Sequence, residues 1–354
     1  MKIKNNSRDA AIDILKVFAL LHMIFSHLYI TLYNNSIQVP FIDFIDNIIP
    51  LCPALFLFLS GYSLTIGQSY LKVKKRIFFS LFLMLIASVF FVAENGFQFP
   101  DFIFSPGILY TIGLNTIICT LIGTTKKYKI FIISSLTVLT SILFISLRLA
   151  NNNIFHLTTG YEPFFPTVIY GFFGFLYGEL KRAGLLTKWV KMIIFAVSIA
   201  IFSVYSYIYG IFAPLYPDVG RYTIERIFNS SYFIPDIFLK THTASFFTAR
   251  IWNFDILCFV YSLSLVFILV ICCDYLINFQ KIKINKLITL PAQYLLFNYI
   301  FHLTIIALST QIIGFGKLSL LSFIMYYCIL IISIYLLNFF FMISKKNHQG
   351  ISPE

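Results

Sequence analysis

The chain has 354 residues, of which 59% are hydrophobic and only 11% are charged, whereas an average soluble domain has about 25% charged residues. This composition excludes an ordinary soluble protein and predicts an all-α polytopic membrane protein. The formal net charge of +12 suggests nucleic acid at first, but the basic residues are distributed among separate loops, so we expect no nucleic-acid partner.

The first hydrophobic segment, 9–33, carries ionisable residues within its apolar run. At about 100° per residue in a helix, Asp13, Lys16 and His27 point to one side, whereas His22 points away from His27. Asp13 and His27 are about 21 Å apart along the axis, so this polar stripe extends across most of a membrane. Ionisable groups inside a membrane usually face a cavity or a partner. The alternative is that Asp13 and Lys16 form an ion pair that serves only packing.

Hydropathy predicts about ten membrane-spanning helices. We place them at 9–33, 48–68, 76–93, 106–123, 128–149, 165–181, 188–210, 252–277, 288–313 and 318–343. If the amino terminus is cytoplasmic, every inner loop is basic and the first two outer loops contain no Lys or Arg. This positive-inside pattern predicts cytoplasmic termini and a multi-pass protein of the cell membrane. No polar stretch is long enough for a soluble domain, so we expect one integral-membrane domain over 1–354.

The sequence also argues against several chemistries. All six cysteines lie in apolar runs without metal-ligand spacing, so we expect no bound metal. HExxH and GxSxG motifs are missing from the sequence, which leaves metallohydrolase and serine-hydrolase activity without support.

Two inner features could contact ligands. Lys74, Lys75 and Arg76 follow the second span, where they could fix the topology or hold the phosphates of a cytoplasmic ligand. Ser60 belongs to a run of small residues in the second span, for which close helix packing is the simpler explanation.

Other candidates lie further along the chain. Glu162 precedes the sixth span at its predicted outer end, and His302 shares a helix face with Asn298 in the ninth. A hydrogen-bonded structural histidine and a functional one are equally expected there. The 211–250 loop is long enough to be functional, either as a sugar-binding surface or as a lid, and the last span looks like an anchor.

Several local motifs occur in a consistent order. The first span contains D-x-L-K-x-x-A followed by His27, and later spans contain LFLFLSGYSL, GILYTIGL, FFPTVIYGFFGFLYGEL and QYLLFNYIFH. Together these motifs resemble the transmembrane acyltransferase superfamily, which includes the acyltransferase-3 proteins and the heparan-α-glucosaminide N-acetyltransferase-like group. The GIL-x-x-IGL and FFP-x-x-x-Y-x-x-x-G stretches are more similar to the second group. The resemblance covers spans one to six and nine.

The resemblance implies transfer of an acyl group, usually acetyl, from cytoplasmic acyl-CoA to a sugar hydroxyl or amine across the membrane. His27 matches the family's essential histidine, and Lys16 stands where arginine is usual, which keeps the charge but loses a planar two-point grip. On this basis we assign His27 and Asp13 to catalysis, and Lys16, Lys74, Lys75 and Arg76 to acetyl-CoA. We assign Ser60, Glu162 and His302 to the acceptor, a glycan or lipid-linked sugar in contact with membrane lipid.

An imidazole suits this chemistry, because it can act as a base near neutral pH or carry the acyl group itself. Two other functions fit a polytopic protein with buried charge. A flippase for a lipid-linked saccharide is disfavoured because no matching pair of broken helices is visible in the two halves. A polysaccharide polymerase would depend on Arg221 and Arg226 of the long outer loop.

Overall fold

The computed structural model describes residues 9–34, 51–95, 107–125, 127–150, 164–209, 256–279 and 284–349, together with 41, 45, 48, 97, 99, 101–104 and 157. Across these residues the chain is helical, and the single element of extended pairing is an isolated bridge between Tyr33 and Leu318. The all-α prediction is confirmed. The 211–250 loop with Arg221 and Arg226, and Glu162, lie outside the described residues.

Ten long helices in the described residues occupy the ten predicted segments. They are α1 (Ala10–Leu32), α2 (Leu51–Thr65), α3 (Val73–Asn95), α4 (Ile108–Thr124), α5 (Lys129–Leu149), α6 (Phe164–Arg182), α7 (Lys188–Tyr209), α8 (Ile256–Cys273), α9 (Leu295–Ile313) and α10 (Leu320–Gln349). Short segments extend some of them: 3₁₀ turns at Ile66–Leu71 and Leu290–Tyr294, and a π segment at Asp274–Phe279.

Seven of the described helices are long and apolar enough to cross a membrane by length and composition, namely α1, α3, α5, α7, α8, α9 and α10. Helices α2 and α4 are apolar but shorter, with 15 and 17 residues. Large apolar side chains such as Leu139 and Leu321 are 63% and 69% exposed, which suits faces that contact lipid. The chain is therefore a polytopic membrane protein, while the count of ten spans and the cytoplasmic termini stay predictions.

The chain divides into two compact units. One comprises Met1–Arg8 and Phe44–Cys272, and the other comprises Asp9–Asp43 and Cys273–Glu354. Among the described helices, the first unit contains α2 to α8 and the second contains α1, α9 and α10; we call them the seven-helix unit and the three-helix unit. A single domain over 1–354 stays a prediction.

In the seven-helix unit, α2 and α6 pack with their backbones nearly in contact. A Cβ atom on Gly174 would overlap the carbonyl oxygen of Phe58, and one on Gly61 would overlap the carbonyl oxygen of Gly171. Only glycine, which has no side chain, permits this approach. The expectation that small residues of the second span allow close helix packing is thus confirmed at Gly61.

In the three-helix unit, the first turn of α1 is stabilised by acidic residues. The Asp9 carboxylate accepts a hydrogen bond from the Ala11 amide at 3.0 Å and so caps the helix. Asp13 lies within the same first turn, where the positive end of the helix dipole stabilises a carboxylate. Both residues therefore have a structural role at the beginning of α1.

The other end of α1 is held by the turn between α9 and α10. The amide of Gly316 donates to the Thr31 carbonyl at 3.0 Å, and the amide of Leu318 donates to the Leu32 carbonyl at 2.8 Å. These bonds satisfy carbonyls that a helix end otherwise leaves unpaired. The Thr31 hydroxyl in turn donates to the His27 carbonyl at 2.6 Å. The turn of α1 that carries His27 is thereby fixed against the turn between α9 and α10.

We expect Gly174→Ala to lower the apparent melting midpoint of the detergent-solubilised protein by about 3 to 10 °C, because the added methyl group overpacks the α2–α6 contact. Ala200→Val, which enlarges an exposed residue of α7, is the matched control and should leave the midpoint unchanged. Equal midpoints for Gly174→Ala and the unmodified protein would contradict the close packing described here.

Candidate functional site

Two of the candidate histidines meet in the three-helix unit. Nδ1 of His27 on α1 lies 3.2 Å from Nε2 of His302 on α9. Their rings are nearly parallel, with centroids 5.3 Å apart and 27° between the planes. His302 is fully buried and His27 is half-buried. The sequence singled out both residues, and the fold places them in direct contact.

The surroundings of His302 determine where its proton resides. Its Nδ1 lies 2.9 Å from the backbone carbonyl oxygen of Asn298, and a carbonyl can only accept a hydrogen bond. In the neutral ring Nδ1 therefore carries the proton, and Nε2 is the acceptor. This assignment rests on the hydrogen-bond partners, as it does for any histidine without visible hydrogens.

The tautomer of His302 sets that of His27. Because Nε2 of His302 accepts, Nδ1 of His27 must donate, and Nε2 of a neutral His27 then keeps its lone pair. Among the described residues no hydrogen bond reaches Nε2 of His27. His27 therefore presents an unprotonated nitrogen, which can act as a base or a nucleophile.

Two fully buried amides lie behind His302. The Asn298 side chain donates from Nδ2 to the Pro291 carbonyl at 3.0 Å. The Asn338 side chain, on α10, donates from Nδ2 to Oδ1 of Asn298 at 3.1 Å. Asn298 was visible in the sequence as a neighbour of His302, but Asn338 was missed because the last span looks like an anchor.

Two other candidates on α1, Asp13 and Lys16, lie one or more turns away from this pair along the helix. Asp13 is buried and Lys16 is half-buried, and Asp13 is about 21 Å from His27 along the helix. Direct proton transfer between Asp13 and His27 is excluded at that distance, and the assignment of Asp13 to catalysis stays a prediction. His22 is also buried, and its Nε2 has no partner among the described side chains.

The candidate acceptor residue Ser60 lies in the seven-helix unit. It is half-buried, and its hydroxyl donates to the Leu57 carbonyl of its own helix at 2.7 Å. A hydroxyl bonded within its own helix can still accept a hydrogen bond, so an acceptor role for Ser60 stays a prediction.

The candidate donor-binding cations lie at the start of α3. Lys74 and Lys75 are exposed, and Arg76 is half-buried. The Arg76 guanidinium reaches back from Nε to the Ser69 carbonyl at 3.4 Å. Two ammonium groups are thus available to an anionic ligand in solution, while the arginine also braces the 3₁₀ turn before α3.

A second charged group in the seven-helix unit was not anticipated. The Glu179 side chain is fully buried, and its Oε2 lies 2.9 Å from Lys129 Nζ and 2.5 Å from Arg182 Nη2. Lys129 also donates to the Tyr70 hydroxyl at 3.0 Å. Burial, and after it the Glu179 carboxylate, raise the pKa of the Tyr70 phenol, so it stays a neutral hydroxyl. We call these four residues the Glu179 cluster.

Another cation lies next to the Glu179 cluster in sequence. Lys181 donates from Nζ to the Tyr62 hydroxyl at 2.7 Å. From the sequence, Lys129, Lys181 and Arg182 indicated topology alone. The available signal was Glu179, an acidic residue three positions before Arg182, which places the two side chains on neighbouring parts of one helix face.

A comparison with protein-family profiles matches residues 8–206 to the family described as heparan-alpha-glucosaminide N-acetyltransferase, catalytic. The match covers more than half of the chain and includes α1 to α6 and most of α7. Searches among curated proteins and among solved structures gave no significant match. His302 and the two amides behind it lie beyond the matched segment. The match shows that the chain belongs to the heparan-α-glucosaminide N-acetyltransferase catalytic family.

Proposed function

We propose that this membrane protein, an acetyltransferase-type enzyme by its family, transfers an acetyl group from cytoplasmic acetyl-CoA to a sugar amine or hydroxyl. The acceptor is a glycan or lipid-linked saccharide at the cell membrane. The observation that carries the proposal is the hydrogen bond between His27 and His302, which leaves Nε2 of His27 unprotonated.

Each ring nitrogen of His27 has its own role in the proposed reaction. As the acceptor amine or hydroxyl attacks the thioester carbonyl, its proton moves to Nε2 of His27, and the carbon–sulfur bond then breaks. The departing thiolate takes this proton, so free CoA and the acetylated sugar are the products. While His27 is cationic, its Nδ1–H donates to the lone pair of His302 Nε2, which stabilises the charge.

A covalent route uses the same nitrogens. Nε2 of His27 attacks the thioester itself, the CoA thiolate leaves, and the acetyl group resides on the imidazole until the acceptor takes it. The Nδ1 proton then passes to His302, so the acetylated ring is neutral. When the acceptor attacks, the carbon–nitrogen bond breaks, His302 returns its proton to Nδ1 of His27, and the acceptor's proton goes to the CoA thiolate. In both routes His302 is the group that receives or shares the Nδ1 proton, a role beyond the acceptor contact that the sequence suggested.

The anionic donor fits the charges on the predicted cytoplasmic side. The phosphates of CoA need cations, and Lys74 and Lys75 are exposed at the start of α3, which the predicted topology puts toward the cytoplasm. The Glu179 cluster contains two cations, Lys129 and Arg182, and only one carboxylate, so it carries a net positive charge. We also propose that Lys16 contributes to binding of acetyl-CoA. Ser60 and Glu162 stay candidates for binding the acceptor sugar.

We expect His27→Ala to lower acetyl transfer by at least about 100-fold, because both routes require Nε2 of His27. Transfer of radiolabelled acetyl from acetyl-CoA to glucosamine, by protein in liposomes, measures the effect. His22→Gln is the matched control, since His22 lies on α1 but outside the pair, and it should keep its rate. Full activity of His27→Ala would contradict the proposed function.

His302 should tolerate glutamine better than phenylalanine. A glutamine carbonyl can replace Nε2 as the acceptor from His27 Nδ1–H, whereas phenylalanine fills the space and accepts no such bond. We therefore expect kcat in the order unmodified protein, His302→Gln, His302→Phe, with the last at least about 100-fold below the first. Equal rates for the two variants would show that His302 serves packing alone.

The donor contacts predict a separate effect on KM. We expect the double substitution of Lys74 and Lys75 by glutamine to raise KM for acetyl-CoA by about threefold to tenfold with little change in kcat, because exposed cations contribute modest, salt-screened attraction. Lys188→Gln, an exposed cation at the start of α7, is the control. An unchanged KM at low ionic strength would remove Lys74 and Lys75 from the donor site.

A further inference from the structure

Asn338 of α10 is fully buried, and it lies two hydrogen bonds away from His302. We infer that Asn338 is a positioning residue that selects the tautomer of His302 and, through it, the nitrogen of His27 that carries the proton. The expected effect of Asn338 on acetyl transfer rests on the function proposed above. Its effect on the tautomer of His302 is independent of that function.

The two amides behind His302 can adopt only one orientation. The Pro291 carbonyl is an acceptor, so the group of Asn298 that faces it must be Nδ2. The oxygen of Asn298 then faces α10 and needs a donor, which only Nδ2 of Asn338 can provide at that contact. A single acceptor, the Pro291 carbonyl, thus fixes both amides.

These amides hold the residue whose carbonyl contacts His302. Asn298 lies one turn before His302 on α9, and its backbone oxygen is the acceptor for His302 Nδ1–H. The side chain of the same residue is tied to the 3₁₀ turn before α9 through Pro291 and to α10 through Asn338. The first turn of α9 is therefore held on both sides, and the carbonyl is kept within hydrogen-bonding distance of Nδ1.

Loss of this support allows the second tautomer. If His302 carries its proton on Nε2, that proton points at Nδ1 of His27, which must then accept, and His27 is protonated on Nε2. The nitrogen that both catalytic routes require is blocked in that state. Asn338 thereby acts on the reaction without contact with either substrate.

The position of Asn338 argues against a role in anchoring alone. It continues the buried stripe of α10 that includes Leu330 and Ile334, which are 3% and 2% exposed. An amide buried in a membrane helix costs free energy unless its polar atoms are paired. Its oxygen has no partner among the described residues, so an apolar residue would satisfy packing better. An apolar residue at this position could not donate the hydrogen bond to Asn298.

The test combines a spectroscopic readout with a rate. Solid-state NMR of protein in liposomes, labelled with ¹⁵N at its six histidines, distinguishes protonated from unprotonated ring nitrogens, and the loss of a signal in His302→Gln assigns His302. We expect a single tautomer of His302 in the unmodified protein and a mixture in Asn338→Leu. Acetyl transfer to glucosamine should fall about tenfold, the factor for one lost hydrogen bond, with an unchanged KM for acetyl-CoA.

Asn338→Asp provides a second test, based on pH dependence. It also replaces Asn338→Leu if that variant does not fold. A protonated carboxyl can donate to Asn298 Oδ1, whereas a carboxylate cannot. The ratio of its rate to that of the unmodified protein should therefore rise as the pH falls, together with the fraction of the native His302 tautomer. Ser333→Ala, which removes a half-buried hydroxyl of α10 that donates to the Ile329 carbonyl of the same helix, should change neither readout.

The outcomes separate the two proposals. A His302 signal that keeps a single, unchanged tautomer in Asn338→Leu and in Asn338→Asp at high pH would overturn the positioning role, whatever the rates. A mixed tautomer together with an undiminished rate would support the positioning role and contradict the use of His27 in the reaction.

Discussion

The proton arrangement of the histidine pair depends on the backbone carbonyl of Asn298. The oxygen of Asn298 can only accept a hydrogen bond, and this one-sided property orders the protons of His302 and then of His27. The direction is set inside the protein, where water cannot supply an alternative partner to the fully buried His302. A histidine in such a relay keeps a defined free nitrogen, which an isolated imidazole, with its two tautomers, does not.

Other contacts in the three-helix unit hold α1, α9 and α10 in the positions that the histidine pair requires. The turn after α9 caps the end of α1 through Gly316 and Leu318, and α10 contributes Asn338 to the same unit. Helices α1 and α9 are thus joined both at the histidine pair and at the chain turn beyond it. The seven-helix unit is organised differently, by the glycine contact of α2 with α6 and by the buried Glu179 cluster. Loss of one partner of a buried ion pair leaves an uncompensated charge, which is strongly destabilising.

Sequence patterns predicted the helices because each one depends on a local apolar run, and the observed helices occupy the predicted segments. The catalytic role assigned to His27 stays a prediction, whereas the close packing expected of the small residues in the second span is seen at Gly61. The contact between His27 and His302 was not predictable, because 275 residues separate them and no local pattern reports on their distance. Asn338 was missed for a related reason: one amide in an apolar helix has no partner until the fold provides Asn298. Glu179 was missed because one of its partners, Lys129, lies on another helix, and hydropathy does not pair charges.

The central claim is that Nε2 of His27 is unprotonated and has no hydrogen-bond partner in the described part of the chain, whereas both nitrogens of His302 are engaged. Diethyl pyrocarbonate, which acylates neutral imidazoles at a free nitrogen, tests this claim most directly when the modified histidines are mapped by mass spectrometry. The account predicts that His27 is modified well before His302 and that acetyl-CoA slows its modification. Modification of His302 first, with His27 left unreacted, would contradict the account.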